Sequence, residues 1–352
     1  MSTVGTTATT RTRSAATSVP RTSAPSPVDR ALPIVAVVGA TATGKSDLAL
    51  DLADALAARG TPAEVVNADA MQLYRGMDIG TAKVPVDQRR GIPHHLLDVL
   101  EVTDEASVAV YQQDSRSVIG QVRARGRIPL LVGGSGLYVR ATIDQLEIPP
   151  TDPAVRASYA DLLEQIGVER LYALLRERDP AAAAAIEPRN GRRIVRALEV
   201  IELTGRPFSA TMPRREYVSA TVQVGLRAER TALDARIDAR VERMWADGLV
   251  EEVRGLVPRG LRDGFTASRA IGYEQALAEI DGRMSREEAI GATQLATRRF
   301  VRRQESWFGA DPRIMWFDSD APDLVDDILT LVERSRTEAQ EERSMTDNGG
   351  HV

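Results

Sequence analysis

The sequence predicts an α/β fold, a parallel sheet covered by helices and interrupted by an all-helical insertion domain. Three observations predict it. Apolar runs of strand length alternate with helix-length amphipathic stretches in the first part of the chain. A glycine-rich turn, "GATATGKS", joins the first apolar run to the first helix. From about Pro149 to Pro213 the alternation stops and only helix-forming text remains. Strands separated by whole helices pair in parallel, because a hairpin turn cannot join them.

Taken in order, "PIVAVVGATATGKSDLALDLADALAARG" reads as a buried strand, a glycine turn and a helix that closes at Gly60. "AEVVNADA" gives a second short strand ending near Asn67 to Asp69, and "SVAVYQQDSRSVIGQVRARG" has helical spacing. "IPLLVGGSGLYVRA" is a third strand that breaks into a glycine turn at Gly133 and Gly134. "YVSATVQVGL" at 217–226 restores the β pattern, one long amphipathic helix follows through "ALDARIDARVERMWADGLVEEVRGL", and "RIMWFD" at 313–318 closes the sheet as an edge strand. The expected layout is a head at 1–30, a core in two parts at 31–148 and 217–320, the insertion at 149–216, and a short helix with a disordered acidic tail at 321–352.

Composition narrows the chemistry. The body has the apolar content of a globular protein, 43%. Arg11, Arg13, Arg21 and Arg30 face only Asp29 in the Ser/Thr/Ala/Pro-rich head, which reads as a disordered, dispensable extension or, by composition, a transit peptide. A net charge of -5 argues against bulk coating of nucleic acid but leaves room for a local basic face. With no cysteine there is no disulfide framework, thiolate nucleophile or cysteine zinc site. His94 and His95 lack companion metal ligands and are expected to pack or hydrogen-bond. The apolar runs are shorter than a membrane span and the head lacks a signal-peptide core, so a cytoplasmic location is expected.

Residues 39–46 match G-x-x-x-x-G-K-[ST] between a predicted strand and helix, as a P-loop requires, and make the sheet P-loop NTPase-like. Gly39, Ala40, Thr41, Ala42, Thr43 and Gly44 can wrap backbone N–H groups around an anion. Lys45 reaches outer phosphate oxygens, and the Ser46 hydroxyl can join a Mg2+ shell. Such a loop certifies a polyphosphate, not ATP. Asp69, just past the second strand, should stand near it, either holding Mg2+ or accepting a proton. The third strand ends "LLVGGSG" without an acid, so the aspartate of a P-loop hydrolase has no counterpart.

Other elements stay open on the residues alone. Ser135 in "GGSGLY" marks either a close backbone approach to a ligand or a simple tight turn. Arg192, Arg193 and Arg196 in "RRIVR", and Arg298, Arg299, Arg302 and Arg303 leading to Trp307 and Phe308, form basic faces suited to RNA or simply to solvent. Arg236 and Arg240, at i and i+4, fit phosphate contact or surface pairing equally.

Together, "GATATGKS", "NADAMQLYRGMDIGTAKV", "GIPHHLLDV", "LVGGSGLYVRA", "RRIVRALEV", "RIDARVERMWADGLVEEV", "AIGY" and "ATRRFVRRQESWF" strongly resemble the tRNA dimethylallyltransferase family, in family order from about residue 33 to 318. The resemblance implies transfer of a dimethylallyl group from dimethylallyl diphosphate to N6 of adenosine 37, in tRNAs reading codons that begin with U. It also implies Mg2+, a monomer, and an insertion that helps grip the tRNA anticodon stem-loop. The P-loop would hold the donor diphosphate, with Thr43, Gly44, Lys45 and Ser46 closest, and Asp69 would be the base at N6. Asp69, Ala70, Met71 and Gln72 correspond to a tRNA-contacting segment, as do Arg192, Arg193, Ile194, Val195 and Arg196. Ser135 replaces the family's usual threonine and Arg192 its usual glutamine. Arg236 or Arg240 would stabilise the departing charge, Ser135 would hydrogen-bond within the site, and Arg299 and Arg303 would meet RNA phosphates. Two other readings compete: a P-loop small-molecule kinase using ATP, and an RNA-binding module that uses the P-loop only as a switch.

Overall fold

A computed structural model of the chain describes residues 32–211 and 215–348; the head expected at 1–30 and the last residues, 349–352, lie outside them. The first apolar run is β1 (Ile34–Gly39), buried along its whole length, followed by the P-loop and α1 (Lys45–Ala58). Next come β2 (Ala63–Asn67), the two-residue edge strand β3 (His94–His95), α2 (Val108–Ala124), β4 (Ile128–Gly133) and α3 (Gly136–Ile143). The insertion contributes α4 (Pro153–Ile166), α5 (Val168–Arg178), α6 (Pro180–Ala185) and α7 (Gly191–Thr204). The core resumes with β5 (Thr221–Arg227), α8 (Arg230–Ala246), α9 (Leu249–Leu256), α10 (Tyr273–Ile280), α11 (Arg286–Gly309), β6 (Met315–Asp318) and α12 (Leu324–Asn348).

The six strands form one sheet in the order β3-β2-β4-β1-β5-β6, and every pairing is parallel. The P-loop strand is therefore central. Its neighbours in space, β4 and β5, arrive much later in the chain than β2, which leaves a crevice at the carboxyl ends of the strands. Val35, Val37, Leu130 and Val224 pack on one face against α1 and α12, while Ile34, Ala36, Val38 and Leu131 pack on the other with Tyr111, Tyr138 and Phe308. Central strands buried on both faces read as unbroken apolar runs, which is why they were legible.

Two expectations change. The single helix expected after β5 is two, because Gly248 takes a left-handed conformation (φ 100) and the chain turns between α8 and α9. The acidic tail, expected to be disordered after a short helix, is helical to Asn348; Leu324, Ile328, Leu329 and Val332 give it an apolar stripe that packs on the sheet. Arg59 adds ion pairs to Asp326 and Glu333.

The insertion helices close around their own apolar cluster, with Leu171, Leu175, Ile194, Ala197 and Leu198 at its centre. Asp152 and Asp179 cap α4 and α6, each ahead of a proline in the first turn.

Candidate active site

At the end of β1 the backbone turns through Gly39 (φ 139), where a Cβ would lie 2.6 Å from the Leu226 carbonyl oxygen, so only glycine fits. Gly44 is left-handed (φ 88) and no side chain caps α1. The first N–H groups of α1 consequently have no intrahelical partner and point with the helix dipole toward any bound anion. Thr43 Oγ1 and Lys45 Nζ both donate to the Ala40 carbonyl, at 2.9 and 2.5 Å, which fixes the curl of the loop.

The loop is also tied from a distance. Gln304 on α11 accepts from the Thr41 N–H (2.9 Å) and donates to the Gly134 carbonyl (2.9 Å), so one buried amide joins the P-loop to the turn after β4. Nothing in the sequence analysis singled it out. A signal existed: Val301, Gln304 and Phe308 share the buried face of α11, and a glutamine in an apolar stripe requires partners.

Asp69 is set by its neighbours rather than by a regular element. Asn67 at the end of β2 accepts from the Asp69 N–H (2.9 Å) and donates to the Asp69 and Leu96 carbonyls (3.0 and 2.9 Å). Tyr111, stacked on Tyr138, donates to the Asn67 carbonyl. The Asp69 carboxylate itself accepts from the Met71 N–H (2.9 Å), and the residue lines the cavity. Burial raises its pKa above the ordinary value, against that N–H bond and the attraction of Lys45. Burial also brings Lys45 down to about 8, opposed by Asp69 and assisted by Arg240. Each group's charge thus eases the burial of the other, although burial is the larger effect on both.

Ser135 serves the same segment: its hydroxyl accepts the Ala70 N–H at 3.1 Å. It orients the Asp69–Gln72 backbone, and it is not among the residues lining the cavity. At Gly133 a Cβ would lie 2.2 Å from Ala68 backbone atoms. That contact explains the missing acid of the third strand, since no side chain fits where a hydrolase would place its aspartate.

The "GMDIGTAK" loop owes its shape to two charges, the half-buried Glu252 and the buried Lys83. Glu252 on α9 accepts from the Asp78 and Ile79 N–H groups (3.1 and 2.8 Å) and from Tyr273. Lys83 donates to the Tyr74 carbonyl (3.0 Å), Asp78 and Asp98 (both 2.6 Å). Gln72 is then fixed by a bond to the Thr81 carbonyl. The histidines hydrogen-bond as expected, His95 to the buried Glu64 (2.6 Å) and His94 to the Ile92 carbonyl (2.8 Å).

P-loop residues Thr41, Ala42, Gly44, Lys45 and Ser46 thus line one cavity of about 490 Å3 together with Asp69, Gln72 and Arg240. The two candidate arginines of α8 separate. Arg240 is half-buried and faces this cavity, whereas Arg236 forms an ion pair with Asp320 (2.9 Å), bonds Ser319, and is absent from its lining.

The basic segments divide in the same way. Within "RRIVR", Arg192 and Arg193 are exposed, but Ile194 and Val195 are buried in the insertion core, so their side chains are closed to RNA. Arg196 is engaged by the buried Glu199 (2.8 Å) and the Pro149 and Pro150 carbonyls, and it fastens the entry of the insertion. Arg298 is paired with Asp238. Arg299, Arg302 and Arg303 are exposed, with Arg303 over the Phe300 ring and Arg302 and Arg303 beside Trp307 in a second cleft of about 470 Å3. Among the described residues, no helix is long and apolar enough to cross a membrane.

Fold and site define a class: a P-loop α/β protein with a carboxylate, Asp69, lining the same cavity as the loop. Comparison with known proteins narrows it. The chain belongs to the tRNA dimethylallyltransferase family, whose model, described as IPP transferase, matches residues 72–311. It is 60% identical over 306 residues to the tRNA dimethylallyltransferase of Kineococcus radiotolerans, covering 86% of this chain and 96% of the relative. Among solved structures, the full-length tRNA isopentenylpyrophosphate transferase of Bacillus halodurans is 38% identical, with a TM-score of 0.64 over 89% of this chain and 99% of that one. A eukaryotic dimethylallyltransferase acting on tRNA matches with a TM-score of 0.68 and 25% identity, over 82% of this chain and 74% of that one.

Proposed function

We propose that the chain transfers the dimethylallyl group of dimethylallyl diphosphate to N6 of adenosine 37, in tRNAs reading codons that begin with U, and releases diphosphate. One observation carries the reading: the P-loop, Lys45, Arg240 and Asp69 open into a single cavity, while β4 has no room for a hydrolase carboxylate.

The allylic carbon–oxygen bond breaks readily because positive charge spreads over the double bond, so catalysis must stabilise the departing diphosphate. P-loop N–H groups, Lys45 and Arg240 supply that stabilisation from fixed positions. As the new carbon–nitrogen bond forms, N6 becomes acidic and passes a proton to Asp69. Its raised pKa makes it a better proton acceptor than an ordinary aspartate.

Mg2+ fits this donor set. Among the described residues no three His, Cys, Asp or Glu side chains converge on a metal site, and Mg2+ commonly keeps its waters and takes one or two protein oxygens plus phosphate oxygens. The Ser46 hydroxyl would be the protein ligand, and the ion would neutralise charge on the diphosphate.

Adenine must leave the loop stack to reach Asp69, at a cost of a few kcal/mol. Ala70, Met71 and Gln72 border its path, and the exposed Arg192, Arg193, Arg299 and Arg303 hold the anticodon stem-loop through its phosphates. The test is direct: the protein, Mg2+, dimethylallyl diphosphate and unmodified tRNA are incubated and the nucleosides weighed by mass spectrometry. Dimethylallyl-adenosine is expected; its absence, with ATP consumed instead, would establish the kinase reading.

A further inference from the structure

We propose that Gln304 is a positioning residue that sets the distance between the leaving group and the proton acceptor, by cross-linking the sheet beyond its last ladder bond. The inference rests on the donor diphosphate lying at the P-loop and the acceptor nitrogen at Asp69. The two halves of the site stand on strands that do not touch: the P-loop leaves β1, Asp69 follows β2, and β4 lies between them. Two strand spacings set them roughly 10 Å apart. The ladder ends just short of the site. β1 and β4 pair as far as Val38 with Gly133, and β2 and β4 as far as Asn67 with Val132, with one more bond from the Ala68 N–H to the Val132 carbonyl (2.8 Å).

Side chains and turns take over from there. On the β2 side, the Ser135 N–H donates to the Ala68 carbonyl (3.2 Å) and its hydroxyl accepts the Ala70 N–H (3.1 Å). The residues on either side of Asp69 are thus tied to the turn after β4. On the β1 side the tie is Gln304, which reaches in from α11 and is buried. Its Oε1 accepts the Thr41 N–H and its Nε2 donates to the Gly134 carbonyl, both at 2.9 Å. The peptide it holds is pinned at its other end as well, because the Ala40 carbonyl accepts from Thr43 and Lys45. One residue further on, Ala42 is left-handed (φ 66), a conformation that a residue with a Cβ keeps only when its surroundings hold it.

Gln304 is not among the residues lining the cavity, so it acts through the loop rather than on the donor. The reaction breaks a bond to the diphosphate on one side and forms a bond to nitrogen on the other, so its rate depends on the spacing of the two sides. A misplacement of about 1 Å costs on the order of a hundredfold in rate.

The experiment uses Gln304→Met, close in volume but without the amide, Gly134→Ala, and the double variant. At Gly134 a Cβ would lie 2.3 Å from Gln304 Nε2, the far end of a flexible side chain. That variant therefore breaks the tie while leaving Gln304 in place, and it carries the test should the methionine variant fail to fold. The single-turnover rate of dimethylallyl transfer to unmodified tRNA is measured with both substrates saturating, and the Kd of each substrate is measured separately. Each single variant should lose about a hundredfold in rate while either Kd moves by less than about threefold. The double variant should be no slower than the singles, since both break one link. A rate within about threefold of the unaltered protein, or a loss that appears in the donor Kd instead of the rate, would overturn the positioning role. So would losses that multiply in the double variant. No transfer by the unaltered protein would overturn the proposed function, and this inference with it.

Discussion

In the proposed mechanism Asp69 accepts a proton and Lys45 steadies the departing diphosphate, so their protonation should be visible in the rate. Because burial raises Asp69 and lowers Lys45, kcat/KM should climb through an acid limb above the ordinary carboxylate value as Asp69 ionises. It should fall through a limb near pH 8 as Lys45 loses its proton. Lys45→Arg should carry the basic limb out of range; a limb that stays in place belongs to another group. Asp69→Ala should cut turnover about a hundred- to ten-thousandfold and leave tRNA affinity nearly unchanged. Equal losses in turnover and affinity would make Asp69 a binding residue. Arg240→Ala should weaken donor binding and turnover much more than Arg236→Ala, whose partner is Asp320 on the surface. These residues were legible because a P-loop and the strand-end acid are local signals. The choice between Arg236 and Arg240 was not, since both lie on the solvent-ward side of one helical pattern and only the neighbouring strands distinguish them.

Elements hold the site through contacts that span the chain. Gln304 and Thr41 are 263 residues apart, and Glu252 and Ile79 are 173 apart, so no local pattern could pair them. In "RRIVR" the spacing correctly places a helix, but neither the burial that takes Ile194 and Val195 out of the RNA-facing set nor the partner that removes Arg196 from it. That partner, Glu199, is fully buried and held down to about 2 by Arg196, the Asp152 N–H, Thr151 and Arg156 despite its burial. A carboxyl depressed in the folded state contributes stability above its unfolded pKa, lost as pH falls through the folded value. The insertion should therefore loosen between about pH 4.5 and 2. Glu199→Ala should destabilise it at neutral pH by about 1–3 kcal/mol, because the Thr151 hydroxyl and the Asp152 N–H lose their shared acceptor and the part-exposed Arg156 and Arg196 their anion. Chemical denaturation checks this, and a loss within about 0.5 kcal/mol would show the network to be surface-like.

Across the whole molecule, the parallel sheet, the helical insertion and the edge strand β6 followed from periodicity, while the cavity did not. Its walls come from α1, β2, the 81–90 loop, β4 and α8, which only the fold brings together. The exposed arginines proposed to meet RNA likewise come from two separate places, the insertion and α11. If Arg299 and Arg303 meet phosphates, replacing either with alanine should lower the slope of log affinity against log salt by roughly 0.7–0.9. An unchanged slope would remove that arginine from the interface. The central claim is that the P-loop holds a diphosphate that departs rather than a phosphate that is transferred. It is tested most directly by supplying tRNA, dimethylallyl diphosphate and ATP together and counting products. The account predicts one diphosphate released for each dimethylallyl-adenosine formed, with ATP untouched; phosphate or ADP appearing in step with product, or without it, would contradict it.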